Sequence, residues 1–289
     1  MLVLFTDTDC DITPESAKKY GFELISMPYF INEKETKPYV DFDEFKYKDF
    51  YNMLRKGVLP KTSAISPKQY IEYFEPHFKE GNDILYIHFS KNMSGTFNSL
   101  NIALEELKKK YPDRKFYSID TKAITALSYL IIKQFGEFAK QGKTVEELLT
   151  WAESEVQKYA IYFYVDDLTF FRKSGRVNGL QGIMGNLLGI HPIIHINSDG
   201  MMTNITKARG KVNTLKKIIE LVDEIQEDIA SYPIVIAHSD IEEVALELGQ
   251  MLKEKYGDNL NIEYIVVNPT AGSHCGPNSV GVAFHAKHR

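Results

Sequence analysis

Ile84-Leu85-Tyr86-Ile87-His88-Phe89-Ser90-Lys91-Asn92-Met93-Ser94-Gly95-Thr96-Phe97-Asn98-Ser99 holds an apolar run, a short polar loop and the start of a helix. A strand that ends in a polar loop and feeds a helix is the unit of a parallel α/β sheet. In such sheets ligands bind beyond the carboxyl ends of the strands. At the helix start, free N–H groups and a partial positive charge meet two hydroxyls, those of Ser94 and Thr96. Gly95 lets another group approach the backbone. Together these suit a carboxylate or phosphate oxygen. A plain serine N-cap accounts for the same residues, so the rest of the chain has to decide.

Upstream, the same strand–loop–helix order recurs. Leu2 to Phe5 is an apolar run that ends in Thr6-Asp7-Thr8-Asp9-Cys10-Asp11, and Thr13-Pro14 then reads as an N-cap followed by proline at the first helical position. The alternate aspartates invite a metal, but the glycine and closing glutamate of a calcium loop are missing, so capping and loop hydrogen bonds are expected instead. Leu24 to Tyr29 reads as a second strand, Asn32-Glu33-Lys34-Glu35 as a turn, Tyr39-Val40 as its return, and Asp43 to Arg55 as a helix. Pro60 to Pro67 is a loop holding Thr62 and Ser63, closed by Ser66-Pro67 as a helix start. Downstream of Ser94, Lys115 to Ile119 is a strand. Ala123 to Phe135 is a helix apolar around most of its girth, either central core or the wall of a long cavity. Val145 to Tyr159 is a further amphipathic helix. Residues 1–160 therefore form a doubly wound parallel α/β domain with Ser94, Thr62 and Asp7 on one edge.

The second half changes character, which places a boundary near residue 160. Ala160 to Val165 alternates, and Gly179, Gly182, Gly185 and Gly189 punctuate a short helix. Ile190 to Ile196 and Met201 to Lys207 flank Asn197-Ser198-Asp199-Gly200, a hairpin signal. Helices near 211–229 and 240–256 alternate with strands near 233–237 and 261–267, so residues 161–289 read as an α+β domain with a mixed sheet. Asn268 to Phe284 reads as a glycine-rich loop holding His274, followed by a strand.

Composition narrows the class of function. The 289 residues suffice for two ordinary domains, and a net charge of −5 gives nucleic-acid binding no electrostatic support. Two cysteines, Cys10 and Cys275, make no disulfide framework and fit a reducing cytoplasm. The N-terminus lacks the basic and cleavage regions of a signal peptide, and no apolar run approaches a membrane span. No P-loop or zinc motif is present. The glycines that flank the serine of an α/β hydrolase are replaced around Ser94 by Asn92 and Thr96.

Taken in order, Asp7-Thr8-Asp9-Cys10-Asp11-Ile12, Thr62-Ser63 with Ser66-Pro67, Ser94-Gly95-Thr96, Arg172-Lys173-Ser174-Gly175-Arg176, Lys207-Ala208-Arg209-Gly210 and His274-Cys275-Gly276-Pro277 resemble the DegV family of fatty-acid-binding proteins. The likeness spans nearly the whole chain. It departs at Thr8, where the family often has serine, and at Asn278, which replaces a glycine; asparagine tolerates a left-handed backbone, so the loop can survive the change. The resemblance implies a long-chain fatty acid between two domains and no cofactor. It places the carboxylate near Thr62, Ser63, Ser94, Gly95, Thr96 and His274. It also implies presentation of that carboxylate to a separate ATP-dependent kinase subunit, which makes an acyl phosphate. Arg172, Arg176, Lys207 and Arg209, basic residues of loop-like stretches in an acidic chain, are then candidates to dock that partner, against a plain solvated surface. Two other readings stand beside the carrier: a phosphotransferase or hydrolase acting on a small carboxylate or phosphate, and a sensor whose lipid occupancy changes a protein contact.

Overall fold

Strand Leu2–Asp7 (β1) lies at the middle of a parallel sheet because its apolar run has neighbours on both sides. A computed structural model describes residues 1–175 and 189–289. The first part of the chain runs β1, helix α1 (Pro14–Tyr20), β2 (Phe22–Ile25), β3 (Tyr29–Ile31), β4 (Lys34–Thr36), α2 (Tyr47–Arg55), β5 (Lys61–Thr62), α3 (Pro67–Lys79), β6 (Asp83–His88), α4 (Thr96–Lys110), β7 (Phe116–Asp120), α5 (Thr125–Lys140) and α6 (Val145–Glu155). Among the described residues β2-β1-β6-β7 form one parallel sheet, with Val3 opposite Ile84 and Ile87 opposite Ile119. Helices α3 and α4 pack together, and Phe74 sets its ring edge-on to Phe5 and Phe116. Ser66 and Gln69 close α3 with a reciprocal capping box, as the Ser66-Pro67 signal predicts.

The second part runs β8 (Tyr159–Val165), α7 (Thr169–Ser174), β9 (Ile190–Ile196), β10 (Met202–Arg209), α8 (Lys211–Ile225), β11 (Ile234–His238), α9 (Glu242–Tyr256), β12 (Ile262–Val266), α10 (Pro269–Cys275) and β13 (Ser279–His285). Its sheet has the order β10-β9-β8-β13-β11-β12, antiparallel except for the β11–β12 pair. Helices α8 and α9 pack on this sheet, while α5 packs against α1 and also against β8, β11 and β13. That position explains the apolar girth of α5: most of it is core between the two sheets, and only its start, Ile124 and Thr125, reaches a cavity.

Several sequence expectations need correction. Leu24 to Tyr29 is not one strand. Pro28 has no N–H to give a ladder, the Met27 N–H goes to Thr8 Oγ1 and the Ser26 N–H to Tyr73 Oη, so the chain leaves the sheet after Ile25. Asn32 and Glu33 both take positive φ (51° and 66°), a two-residue turn that starts the return strand at Lys34 rather than at Tyr39-Val40. The helix expected from Asp43 begins at Tyr47, because Phe45 turns inward onto Phe50 and Tyr51 instead, with Phe42 stacked on Phe45. β8 does not alternate with solvent, since six of its seven residues are buried between α5 and α8. The stretch holding His274 is a helix, not a loop: Asn268 caps it through the Ala271 N–H, Pro269 occupies its first position, and Gly276 (φ 72°) ends it. Arg172 lies on α7, and Lys207 and Arg209 lie on the edge strand β10, so none of the three is on a loop. Gly179, Gly182, Gly185 and Arg176 lie outside the described residues.

Candidate functional site

After β6 the chain makes a 3₁₀ turn (Lys91–Met93), then an extended Ser94, and enters α4 through Gly95. The turn is pinned from behind by the β9–β10 hairpin: Ser90 Oγ donates to the Gly200 carbonyl (2.8 Å) and Asn92 Nδ2 to that of Asp199 (2.6 Å). Ser94 Oγ accepts the Thr96 N–H at 3.2 Å, so one free helix donor is already satisfied. Thr96 Oγ1 accepts the Ile65 N–H (3.1 Å) and bonds Tyr70 Oη (2.9 Å), which leaves it at most one hydrogen to give outward.

Opposite stand β5 and α10. Thr62 pairs with Tyr29 at the edge of a small antiparallel sheet, β4-β3-β5, and its Oγ1 lies 2.9 Å from His274 Nε2. Four contacts hold α10 itself. Asn268 gives its N–H and Nδ2–H to Asp11 Oδ1, Thr270 Oγ1 donates to the Met27 carbonyl, and Tyr51 Oη donates to the Val267 carbonyl.

Between these elements lies a cavity. It is narrow, with a volume of about 110 Å³. Thr62, Ser63, Ser94, Thr96 and His274 all line it, and Gly95 does not. No group comes near the position where a Cβ on Gly95 would stand. The remaining wall is mostly apolar and comes from both halves: Met27, Phe89, Met93 and Ile124 from the first, Ile161, Phe163, Phe171, Ile196, Met202, Ala237, Val267 and Val280 from the second. Arg172, Lys207 and Arg209 are exposed and outside the lining, although Arg172 follows the lining residue Phe171.

Sequence reasoning offered a cavity wall only on the Ala123–Phe135 helix, where Ile124 does line it; it missed the wall residues of the second half, such as Ile161, Phe163, Ala237 and Val280, which sit on strands where a cavity face and a core face look alike. It also missed Cys275 and Ser279 as lining residues, though both flank His274 in the chain. Burial pushes the Cys275 thiol up to about 12, so it is no thiolate nucleophile at neutral pH.

The polar part of the lining holds hydroxyls, the His274 imidazole and one carboxyl group, that of Asp9. No Lys or Arg is among the described lining residues. His274 Nε2 pairs with Thr62 Oγ1, and Ser94 Oγ accepts the Thr96 N–H. Asp7 and Asp11 are buried outside the cavity lining. Burial raises Asp7 to about 6 against the hydrogen bonds of Tyr86, Cys10 and the Phe89 and Asp9 N–H groups, and raises Asp11 to about 7 against those of Asn268. Among the described residues no cluster of His, Cys, Asp and Glu could hold a metal ion, and no helix is long and apolar enough to cross a membrane.

The family model described as "Uncharacterised protein, DegV family COG1307" matches residues 1–287. A DegV domain-containing protein of Clostridium perfringens is 34% identical over 98% of this chain and 96% of its own length. Among solved structures, a stearic acid-binding protein from Eubacterium ventriosum superposes with a TM-score of 0.87 at 22% identity, covering 99% of each chain. The Fatty Acid Kinase (Fak) B3 protein of Streptococcus pneumoniae, solved loaded with linoleic acid, gives a TM-score of 0.82 at 18% identity, again over 99% of each chain. At these identities the structural likeness establishes the fold.

Proposed function

We propose that this chain, which belongs to the DegV family, binds one long-chain fatty acid in the cavity between residues 1–160 and 161–289. The observation that carries the reading is a narrow, mostly apolar cavity with Thr62, Ser63, Ser94, Thr96 and His274 in its wall. The carboxylate takes hydrogen bonds from Ser94 and from Thr62, whose oxygen accepts from His274 Nε2–H so that its own O–H points to the ligand. Gly95 contributes backbone rather than wall. The tail dominates the energetics. About fifteen methylenes at about 0.8 kcal/mol each give roughly 12 kcal/mol gross, set against about 4–15 kcal/mol for association. Neutral hydrogen bonds at the head add about 1 kcal/mol each, so they orient the ligand more than they hold it.

On this reading the protein performs no chemistry alone. It presents the carboxylate to an ATP-dependent kinase subunit, a role supported by the fold shared with the streptococcal kinase component. Arg172, Lys207 and Arg209 are the described docking candidates, with Arg176 beyond the described residues. Solvent extraction of the purified protein followed by mass spectrometry tests the binding. One equivalent of fatty acid is expected. A lipid-free protein that takes up no added palmitate overturns the reading.

A further inference from the structure

His274 stands at the last turn of α10, and what fixes that helix lies at its other end. Asn268 does two things there. Its Oδ1 caps the helix by accepting the Ala271 N–H (2.9 Å), and its N–H and Nδ2–H both turn back to Asp11 Oδ1, at 2.8 and 2.7 Å. One carboxylate oxygen therefore grips the cap residue twice, across a separation of 257 positions. Both partners are buried, at 6% and 3% exposure, so water does not compete for the contact. Asp11 reaches the position from a left-handed backbone (φ 55°), which its N–H stabilises by bonding the Thr8 carbonyl at 3.2 Å. The other oxygen, Oδ2, meets no donor among the described residues, so among them the double grip on Asn268 is the side chain's whole hydrogen-bonding role.

The lever is short. From Asn268 to His274 the helix rises about 9 Å, so a tilt of about 10° about the cap carries the imidazole end some 1.5 Å. The Thr62–His274 contact, 2.9 Å long, does not survive such a movement. We propose that Asp11 is a positioning residue for the head-group end of the cavity. Through Asn268 it sets the pitch of α10 and holds His274 against Thr62. This rests on the fatty-acid reading above and names a residue, outside the cavity wall, on which the geometry of that site depends.

The test uses the full-length protein loaded with palmitate carrying ¹³C at the carboxyl carbon, observed by NMR. Wild-type protein is expected to show one sharp bound carboxyl resonance. Asp11→Asn keeps an acceptor oxygen at the same place and should leave that resonance unmoved. Asp11→Ala should retain palmitate with affinity reduced by no more than about tenfold, since head-group bonds are worth about 1 kcal/mol each, while its carboxyl resonance shifts or splits. Asn268→Ser, which keeps a cap but removes the Nδ2–H, should move the resonance in the same direction by less, and it serves if Asp11→Ala does not fold. In a His274→Ala background the substitution at Asp11 should move it no further, because Asp11 acts through His274. A role in stability alone would lower the unfolding midpoint and leave the resonance in place. That result, or equal shifts in both backgrounds, overturns the proposal while wild-type loading stands. Failure of the wild-type protein to load overturns the fatty-acid reading itself and this inference with it.

Discussion

Gly272 faces Tyr51 so closely that a single methyl group should be felt. A Cβ built there would lie 2.6 Å from Tyr51 Oη, 3.2 Å from its Cζ and 3.3 Å from Phe50 Cε1. Carbon atoms in ordinary contact stand about 3.5–4.0 Å apart. Tyr51 has nowhere to go: it is fully buried, and its hydroxyl donates to the Val267 carbonyl at 2.8 Å. Gly272→Ala should gain about 1 kcal/mol of helix propensity, lose about 1–3 kcal/mol to overpacking and lose a further 1–3 kcal/mol or so if the carbonyl is left without its donor. The expected net is a destabilisation of about 2 kcal/mol. Tyr51→Phe alone should cost about 1 kcal/mol for the same hydrogen bond. In the double variant the atom that clashes is gone, so the two costs should not add, and a coupling of at least about 1 kcal/mol is expected. Urea unfolding measures all three, as shifts of the midpoint at constant slope. Costs that add to within about 0.5 kcal/mol, or a Gly272→Ala protein more stable than wild type, would refute the reasoning.

Other expectations follow from the same structure. Asp7 (about 6) and Asp11 (about 7) titrate above the unfolded value because they are buried, so between about pH 4 and pH 7 the unfolded chain binds fewer protons than the folded one. Their contribution to stability is therefore full below about pH 4 and is lost as the pH rises through 6 and 7. Unfolding midpoints across that window should fall with rising pH, and less steeply in Asp11→Asn; parallel profiles would contradict this. Gly200 (φ 76°) seats against Ser90 Oγ and Lys122, so Gly200→Val should displace the turn before Ser94 and cost about 1–3 kcal/mol, read by thermal unfolding, with an unchanged midpoint counting against it. Arg172→Ala and Arg209→Ala should leave lipid content unchanged but weaken kinase-dependent acyl phosphate formation, more so at low salt, whereas Ser94→Ala should disturb the carboxylate and spare partner affinity. Loss of lipid in the arginine variants would put those residues in the cavity wall and end the docking idea.

Local chemistry was legible where one short stretch decides the structure. Ser66-Pro67 with Gln69 starts a helix, Asn197 to Gly200 turns a hairpin, and Ser94-Gly95-Thr96 opens α4; none of these needs a distant partner. The helix at Asn268 was obscured by its own small residues. Gly272 and Ser273 imitate a loop, yet Gly272 is there because Tyr51, 221 positions earlier in the chain, occupies the space a side chain would fill. The apolar wall was hidden for a related reason. Ile161 and Phe163 on β8 face the cavity while Tyr162 and Tyr164 face α8 and α9, and a strand buried on both sides carries no polar contrast to tell the faces apart. His274 could be singled out, but its partner Thr62 sits 212 residues away and only the tertiary fold brings the two together.

The order of strands in the second sheet has a consequence for how the protein is made. β13 is later in the chain than every other strand of that sheet, yet it lies between β8 and β11 and is the link joining β10-β9-β8 to β11-β12. A chain emerging from the ribosome can pair β8 with β9 and β11 with β12 early, but it holds two separate fragments until residues 279–285 arrive. The same late segment brings the Ser279–Gly281 stretch of the cavity wall, only a few residues after His274. On the proposed function, loading with lipid is thus an event that follows synthesis, and nascent chains halted short of residue 279 present open sheet edges for chaperones to shield.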